Sequence, residues 1–210
     1  DIKSPLASIS TTLDMFSDGE LDKEEMEEIG KSLKEKINST SIFLDNLLNW
    51  ATSQFNSEKS NFTEFNLYES VNRVVTNWGY MFKNKNNDVE NLLDKNTKVF
   101  FDNNLIKFVV RNILLNANKF TDNGNIKIIY NPVSNQLKII DNGCGMKEET
   151  RKNLFNWEAR VSTPGTQGES GSGLGLKVCY DMLKQNNADL TVESKVGEGS
   201  EFTIHLPSKK

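Results

Sequence analysis

The chain has 210 residues, 36% of them hydrophobic, and 25 basic against 29 acidic side chains give a net charge of −4. That length accommodates one large domain or two smaller ones, and the mild acidity argues against a nucleic-acid partner, which needs a basic surface. No apolar run approaches the roughly 20 residues that cross a bilayer, no signal-peptide pattern opens the chain, and the two cysteines show neither metal-ligand spacing nor a disulfide framework.

Residues 3–17 predict a short helix. Ser4 suits its N-cap and Pro5 its first position, with Leu6, Ile9 and Leu13 on one face. The alternative is a helix that begins earlier and bends at Pro5. Ser17-Asp18-Gly19-Glu20 reads as a turn, with Asp22 the cap of the next helix. This second helix runs from about Leu21 to Phe55. Leu33, Ile37, Thr40, Leu44, Leu47 and Ala51 form the seam of a helix packed along its whole length, roughly 50 Å. Two antiparallel helices cannot bury that stripe alone. A second copy completing a four-helix bundle is the simplest remedy, and a helix lying on the second domain is the alternative.

Beyond a polar break at 57–61 the pattern changes to alternating helices and strands. A strand at 62–65 and a helix at 67–82 are followed by a strand at 99–101 and a helix at 103–118. Ile126, Ile128 and Tyr130 alternate with polar residues, and Leu137-Lys138-Ile139-Ile140 comes next, which predicts a hairpin. Residues 146–170 have little periodicity, and loops of that length are usually functional or disordered. A helix at 173–186 and strands at 189–195 and 201–206 close the chain. One layer of strands against one of helices describes an α/β sandwich, and with the hairpin in front the fold class is α+β.

Three stretches carry chemistry. In NILLNANKF, Asn112, Asn116 and Lys119 share one helix face, away from Val109, Val110, Ile113, Leu114 and Ala117. A solvated polar face is one reading. Asn is a poor helix former, however, and an amide oxygen ligates a hard cation while Lys meets a phosphate. In DNGCGM the local signal is a turn. Its two glycines, Gly143 and Gly145, also allow close backbone approach to a flat ligand, with Asp141 a buried acceptor for an amino group. STPGTQGESGSGLGLKV runs glycine-rich backbone into a helix N-terminus, which is an anion site. It has neither the Lys-Ser/Thr of a Walker loop nor the early strand-following position of a dinucleotide fingerprint.

In this order and in one domain, the three resemble the catalytic ATP-binding domain of sensor histidine kinases, of the GHKL superfamily, over about 62–210. NILLNANKF is similar to the family's N box, DNGCGM to its first glycine box and GSGLGLK to its second. Phe155 in LFNWEARVST matches its phenylalanine-containing box. The resemblance implies that Asn112, Asn116 and Lys119 serve Mg²⁺–ATP, with Asn116 the direct metal ligand. It implies that Asp141 binds the adenine amine, that Gly143 and Gly145 shape the base pocket, and that Gly171, Gly173, Leu174 and Gly175 wrap the triphosphate. Residues 146–170 would be the lid. Many relatives carry Thr at the position of Glu201, so no nucleotide contact is assigned there.

Residues 1–56 resemble the dimerisation and histidine-phosphotransfer hairpin of the same family. DIKSPL fits every motif position after the phospho-acceptor, so the resemblance implies a histidine immediately before Asp1 and a chain that does not phosphorylate itself. Asp1 matches the acidic residue that assists proton removal. Ser4 matches the position that orients water in phosphatase activity, where Thr or Asn is more usual. His205 is no substitute: Phe202, Ile204 and Leu206 alternate inward, which turns it to the other side of the sheet.

The activity so implied is transfer of the ATP γ-phosphoryl to histidine and onward to an Asp of a response-regulator receiver domain. A homodimer is implied, and the chain would be the cytoplasmic portion of a sensor anchored in the membrane by another part. A gyrase- or chaperone-like ATPase clamp shares the nucleotide fold but lacks a helical hairpin in front. A non-catalytic dimeric scaffold is the remaining alternative.

Overall fold

The computed structural model describes residues 7, 10, 11, 14, 23–55, 61–159, 163–169 and 173–207. It divides into two compact units, Asp1–Phe55 and Asn56–Lys210. In the first, α1 spans Lys23–Phe55, as the seam predicts, and Ile37, Leu44 and Leu48 stand exposed on it. Residues 7, 10, 11 and 14 are helical. The rest of the expected first helix, the 17–20 turn and the Asp22 cap lie outside the described residues.

The second unit opens with β1 (Phe62–Asn66), α2 (Leu67–Asn84), β2 (Asp88–Asn91), β3 (Lys98–Asp102) and α3 (Asn103–Phe120). It continues with β4 (Asn125–Asn131), β5 (Gln136–Asp141), α4 (Glu148–Asn153), α5 (Gly175–Gln185), β6 (Asp189–Lys195) and β7 (Gly199–His205). Side-chain caps fix two helix starts. Asn66 accepts from the Glu69 N–H at 3.0 Å, and Asp102 accepts from Asn104 and Leu105 at 2.8 and 3.0 Å.

The strands form two hydrogen-bonded sheets. β1 pairs only with β3, while the main sheet runs β2-β4-β5-β7-β6, with β2 parallel to β4 and the other neighbours antiparallel. Phe62 and Phe101 pack ring to ring beside the β1–β3 pair, with centroids 5.0 Å apart. Strand β2 was not predicted. Asp-Val-Glu-Asn has one apolar residue and none of the alternation that marks a strand.

The inward positions Ile126, Ile128, Leu137, Ile139, Leu190, Phe202 and Ile204 are at most 1% exposed, and α2, α3 and α5 supply the opposing layer. Period-two alternation has a consequence at the end of β5. After Leu137 and Ile139, the next residue on the core face is Asp141.

Candidate functional site

The C-terminal end of α3 gathers the sequence motifs. Its apolar face is fully buried at Val109, Val110, Ile113 and Leu114. Asn112 is also buried and turns its Nδ2 back to the Phe108 carbonyl at 2.9 Å, while Asn116 is half-buried. Lys119 Nζ donates to the Thr163 carbonyl at 2.7 Å. Partial burial lowers the Lys119 pKa; Glu169 opposes the shift and the Lys85 charge adds to it.

The loop after β5 sits on that helix end. The Cys144 N–H donates to the Phe120 carbonyl at 3.0 Å, the Gly197 N–H to the Cys144 carbonyl at 2.8 Å, and the Met146 N–H to Ser194 Oγ at 2.9 Å. The close approach that its glycines permit is to the protein's own backbone. A Cβ on Gly143 would overlap the Phe120 carbonyl oxygen, and one on Gly145, at φ 65°, would overlap that of Lys195. These glycines therefore shape the loop by letting it lie flat against its supports.

Asp141 is 5% exposed. Its Oδ1 accepts from the Gly143 N–H at 3.0 Å and the Ser200 N–H at 3.2 Å. Burial raises the carboxyl pKa to about 6, and the two hydrogen bonds hold it back from rising further. Both bonds fall on Oδ1, so Oδ2 keeps its acceptor capacity for a donor brought from outside. Nearby, Thr121 Oγ1 is buried and makes no hydrogen bond among the described residues. A buried carboxylate with one oxygen uncommitted is a candidate recognition group for a donor such as an amine.

The segment expected as the lid, 146–170, contains α4 and is held at several points. The Phe155 ring stacks on Tyr180 of α5, with centroids 4.8 Å apart and planes 8° apart, and Trp157 Nε1 donates to Asp181 Oδ2 at 2.7 Å. Buried Lys177 donates to the Ala159 carbonyl at 2.6 Å. Gly173 has φ 68°, Leu174 precedes α5, and Gly175 begins it. Helix α5 packs on α3. Asp1, Ser4 and Gly171 lie outside the described residues.

Sequence reasoning missed two elements. Ser200 fixes Asp141 through its backbone, and a side-chain motif does not register a backbone donor. Buried Lys85 carries no motif at all. His205 falls where expected, on the outer side of β7, with Nδ1 3.1 Å from Gln136 Nε2 and Nε2 2.9 Å from Thr191 Oγ1. Cys144 and Cys179 are both free thiols. Among the described residues no helix is long and apolar enough to cross a membrane, and no cluster of His, Cys, Asp or Glu is arranged to hold a metal ion.

A mixed sheet backed by three helices, with its loops collected at one end of α3, is the catalytic-domain fold of histidine kinases. Residues 101–210 match the family described as "Histidine kinase-, DNA gyrase B-, and HSP90-like ATPase", and the chain belongs to that family. Histidine kinases are among its relatives. It is 30% identical over 222 residues to the peroxide stress-activated histidine kinase mak2 of Schizosaccharomyces pombe, covering 98% of this chain and 10% of that protein. It is 26% identical over 214 residues to the sensor histidine kinase RcsC of Escherichia coli, covering 99% of this chain and 22% of that one. The chain thus spans about a tenth of the first and just over a fifth of the second. Among solved structures, the Acinetobacter baumannii histidine kinase AdeS superposes with a TM-score of 0.75 at 22% identity, covering 99% of this chain and 97% of that one. The catalytic domain of histidine kinase ThkA superposes at 0.59 with 26% identity, covering 70% of this chain and 95% of that one.

Proposed function

We propose that the second unit binds Mg²⁺–ATP and presents its γ-phosphoryl to a histidine, which passes it to an aspartate of a response-regulator receiver domain. The observation that carries this is Asp141: a carboxylate on the core face of a strand, with Oδ1 engaged by two backbone donors and Oδ2 available to the adenine amine. Gly143 and Gly145 set the loop that walls the base. Asn112 and Lys119 attend the phosphates, and Gly171, Gly173, Leu174 and Gly175 wrap them at the start of α5. Asn116 holds the Mg²⁺ through its amide oxygen, and that ion supplies charge neutralisation on the phosphates. Little covalent work falls to the protein. It positions the phosphoryl group, and Lys119 and the backbone N–H groups meet its charge. Phe155 anchors the lid.

The first unit, on this reading, is the dimerisation and phosphotransfer hairpin. Ile37, Leu44 and Leu48, exposed on α1, suit a second copy in a four-helix bundle. Asp1 assists proton removal from a histidine preceding it, and Ser4 orients water. The parent sensor is membrane-anchored by another part, with this portion in the cytoplasm. That a solved structure joins ThkA to the response regulator TrrA supports a receiver-domain partner.

Calorimetric titration with Mg²⁺–ATP tests the nucleotide site. The expected result is saturable binding, weaker for GTP, whose ring carbonyl faces Asp141 in place of the amine. No binding of either nucleotide overturns the reading. Incubated with ATP, the 210-residue chain gains no acid-labile phosphate, because its one histidine is held between Gln136 and Thr191.

A further inference from the structure

Three lysines hold the lid segment, and one of them stands outside every motif. Lys177 and Lys119 each donate to a single backbone carbonyl, of Ala159 and Thr163. Lys85, just past the end of α2, has a side chain only 6% exposed, and its ammonium meets three acceptors. It donates to the Lys119 carbonyl at 2.9 Å, Thr166 Oγ1 at 2.6 Å and Glu169 Oε1 at 2.7 Å. The loop it grips is closed on itself. The Gly165 N–H reaches the Glu169 carbonyl at 2.9 Å, and the Gln167 N–H reaches Glu169 Oε2 at 2.9 Å. The Thr166 N–H donates to the same Lys119 carbonyl at 3.0 Å. All three donors of a buried ammonium are thus spent on one task, which is to fasten residues 165–169 to the residue whose own ammonium points at the lid.

A buried cation is costly to desolvate and persists only when its partners compensate. A purely structural tie between a loop and a helix end needs no charge, because backbone N–H groups already make one here. Glu169 is held below its ordinary pKa: partial burial pushes it up, but the Lys85 hydrogen bond and the Gln167 N–H outweigh that. Glu169 therefore stays ionised, and its carboxylate bonds Lys85 while its charge acts on Lys119.

We infer that Lys85 is a positioning residue for the triphosphate: through Glu169 and the Lys119 carbonyl it fixes the second half of the lid and aims Lys119. The inference rests on the proposed nucleotide site. It assigns to Lys85 no contact with nucleotide. Lys119 exchanges the Thr163 carbonyl for phosphate, while Lys85 keeps its partners and serves as the fixed point of the lid.

The test is calorimetric affinity of the 210-residue chain for Mg²⁺–ATP and for AMP, in the wild type, Lys85→Met, Glu169→Gln and the double variant. Glu169→Gln removes the charge and leaves one amide oxygen for either Lys85 or the Gln167 N–H, and a thermal melt of each variant shows that it is folded at the titration temperature, so at least one variant reports even where Lys85→Met folds poorly. Losing a charge-assisted bond that aims another charge lowers Mg²⁺–ATP affinity by about tenfold. AMP, bound through the base, changes by less than about twofold, and the double variant resembles the singles. Equal losses for AMP and ATP overturn the inference, since they mean a structural role only, and so does an unchanged affinity for ATP. A wild type that binds neither nucleotide refutes the site reading itself and the inference with it.

Discussion

Asp141 and Ser200 are direct cross-strand partners in the β5–β7 register, and the Ser200 N–H donates to Asp141 Oδ1 at 3.2 Å. With the Gly143 N–H on the same oxygen, one half of the carboxylate is committed to the protein and the other half is free for recognition. Asp141→Asn preserves the committed half, because an amide oxygen accepts both bonds, and replaces the acceptor Oδ2 by a donor. Adenine binding should fall at least ~100-fold, because two donors then face each other. The same variant should be more stable without nucleotide, on the order of 2 kcal/mol at pH 7.5, because it removes a buried charge. Paired calorimetry and thermal melts check both. A variant that loses binding and stability together contradicts the account.

The pH dependence has a defined sign. The folded-state pKa of Asp141 is raised from 3.8 to about 6, chiefly by burial. Its protonated form therefore favours the fold. That contribution is fully present below pH 3.8 and is lost as pH rises through about 6. At the proposed site nucleotide affinity should run the other way, since the amine needs an acceptor. Titrations at pH 5, 6, 7 and 8 should give constant affinity above about 7 and roughly tenfold weakening per unit well below 6. The Asp141→Asn variant should lose this dependence, and an unaltered slope in it assigns the titration to another group.

How far the sequence carries the site is visible in that same residue. Alternation through Leu137 and Ile139 brings Asp141 to the core face, so its burial was legible. The partners that fix it were not. Ser200 acts through a backbone N–H whose position depends on strand register. Lys85 acts across 84 residues of sequence, and a lone lysine after a helix carries no local signal. The separate β1–β3 sheet was hidden for a related reason. Strand propensity says that a segment is extended, but not with which segment it pairs.

Asn116→Ala separates metal from nucleotide. If its amide oxygen holds the Mg²⁺, affinity for ATP with Mg²⁺ should fall by about tenfold or more, while affinity in EDTA stays within about twofold. Lys119→Met should show the reverse: weaker ATP binding with and without the metal, since a point charge meets phosphate in both cases.

Phe155 and Tyr180 form a stacked pair worth about 1 kcal/mol beyond the area it buries. The pair joins the lid to α5, outside the sheet core. Phe155→Ala should lower the melting temperature by no more than about 5 °C. Amide exchange over 153–159 should quicken by about fivefold, as that part of the lid opens locally. Equal quickening in β5 and β7 refutes a role confined to the lid.

Two glycines give a matched test of backbone strain. Gly145 has φ 65°, a Cβ there would overlap the Lys195 carbonyl, and its neighbours Cys144 and Met146 are bonded to Gly197 and Ser194. The loop has no room to relax without breaking those bonds. Gly145→Ala should therefore cost about 3 kcal/mol and lower the melting temperature by about 10 °C. Gly79 lies within α2, and a Cβ there meets nothing within 4 Å. Gly79→Ala should raise stability by up to about 1 kcal/mol, because the unfolded chain loses freedom and the helix gains its best former. Denaturant unfolding of both variants measures the contrast. Equal effects would mean that the glycine loop is not pinned at Lys195, and the rigid wall proposed for the nucleotide base would go with it.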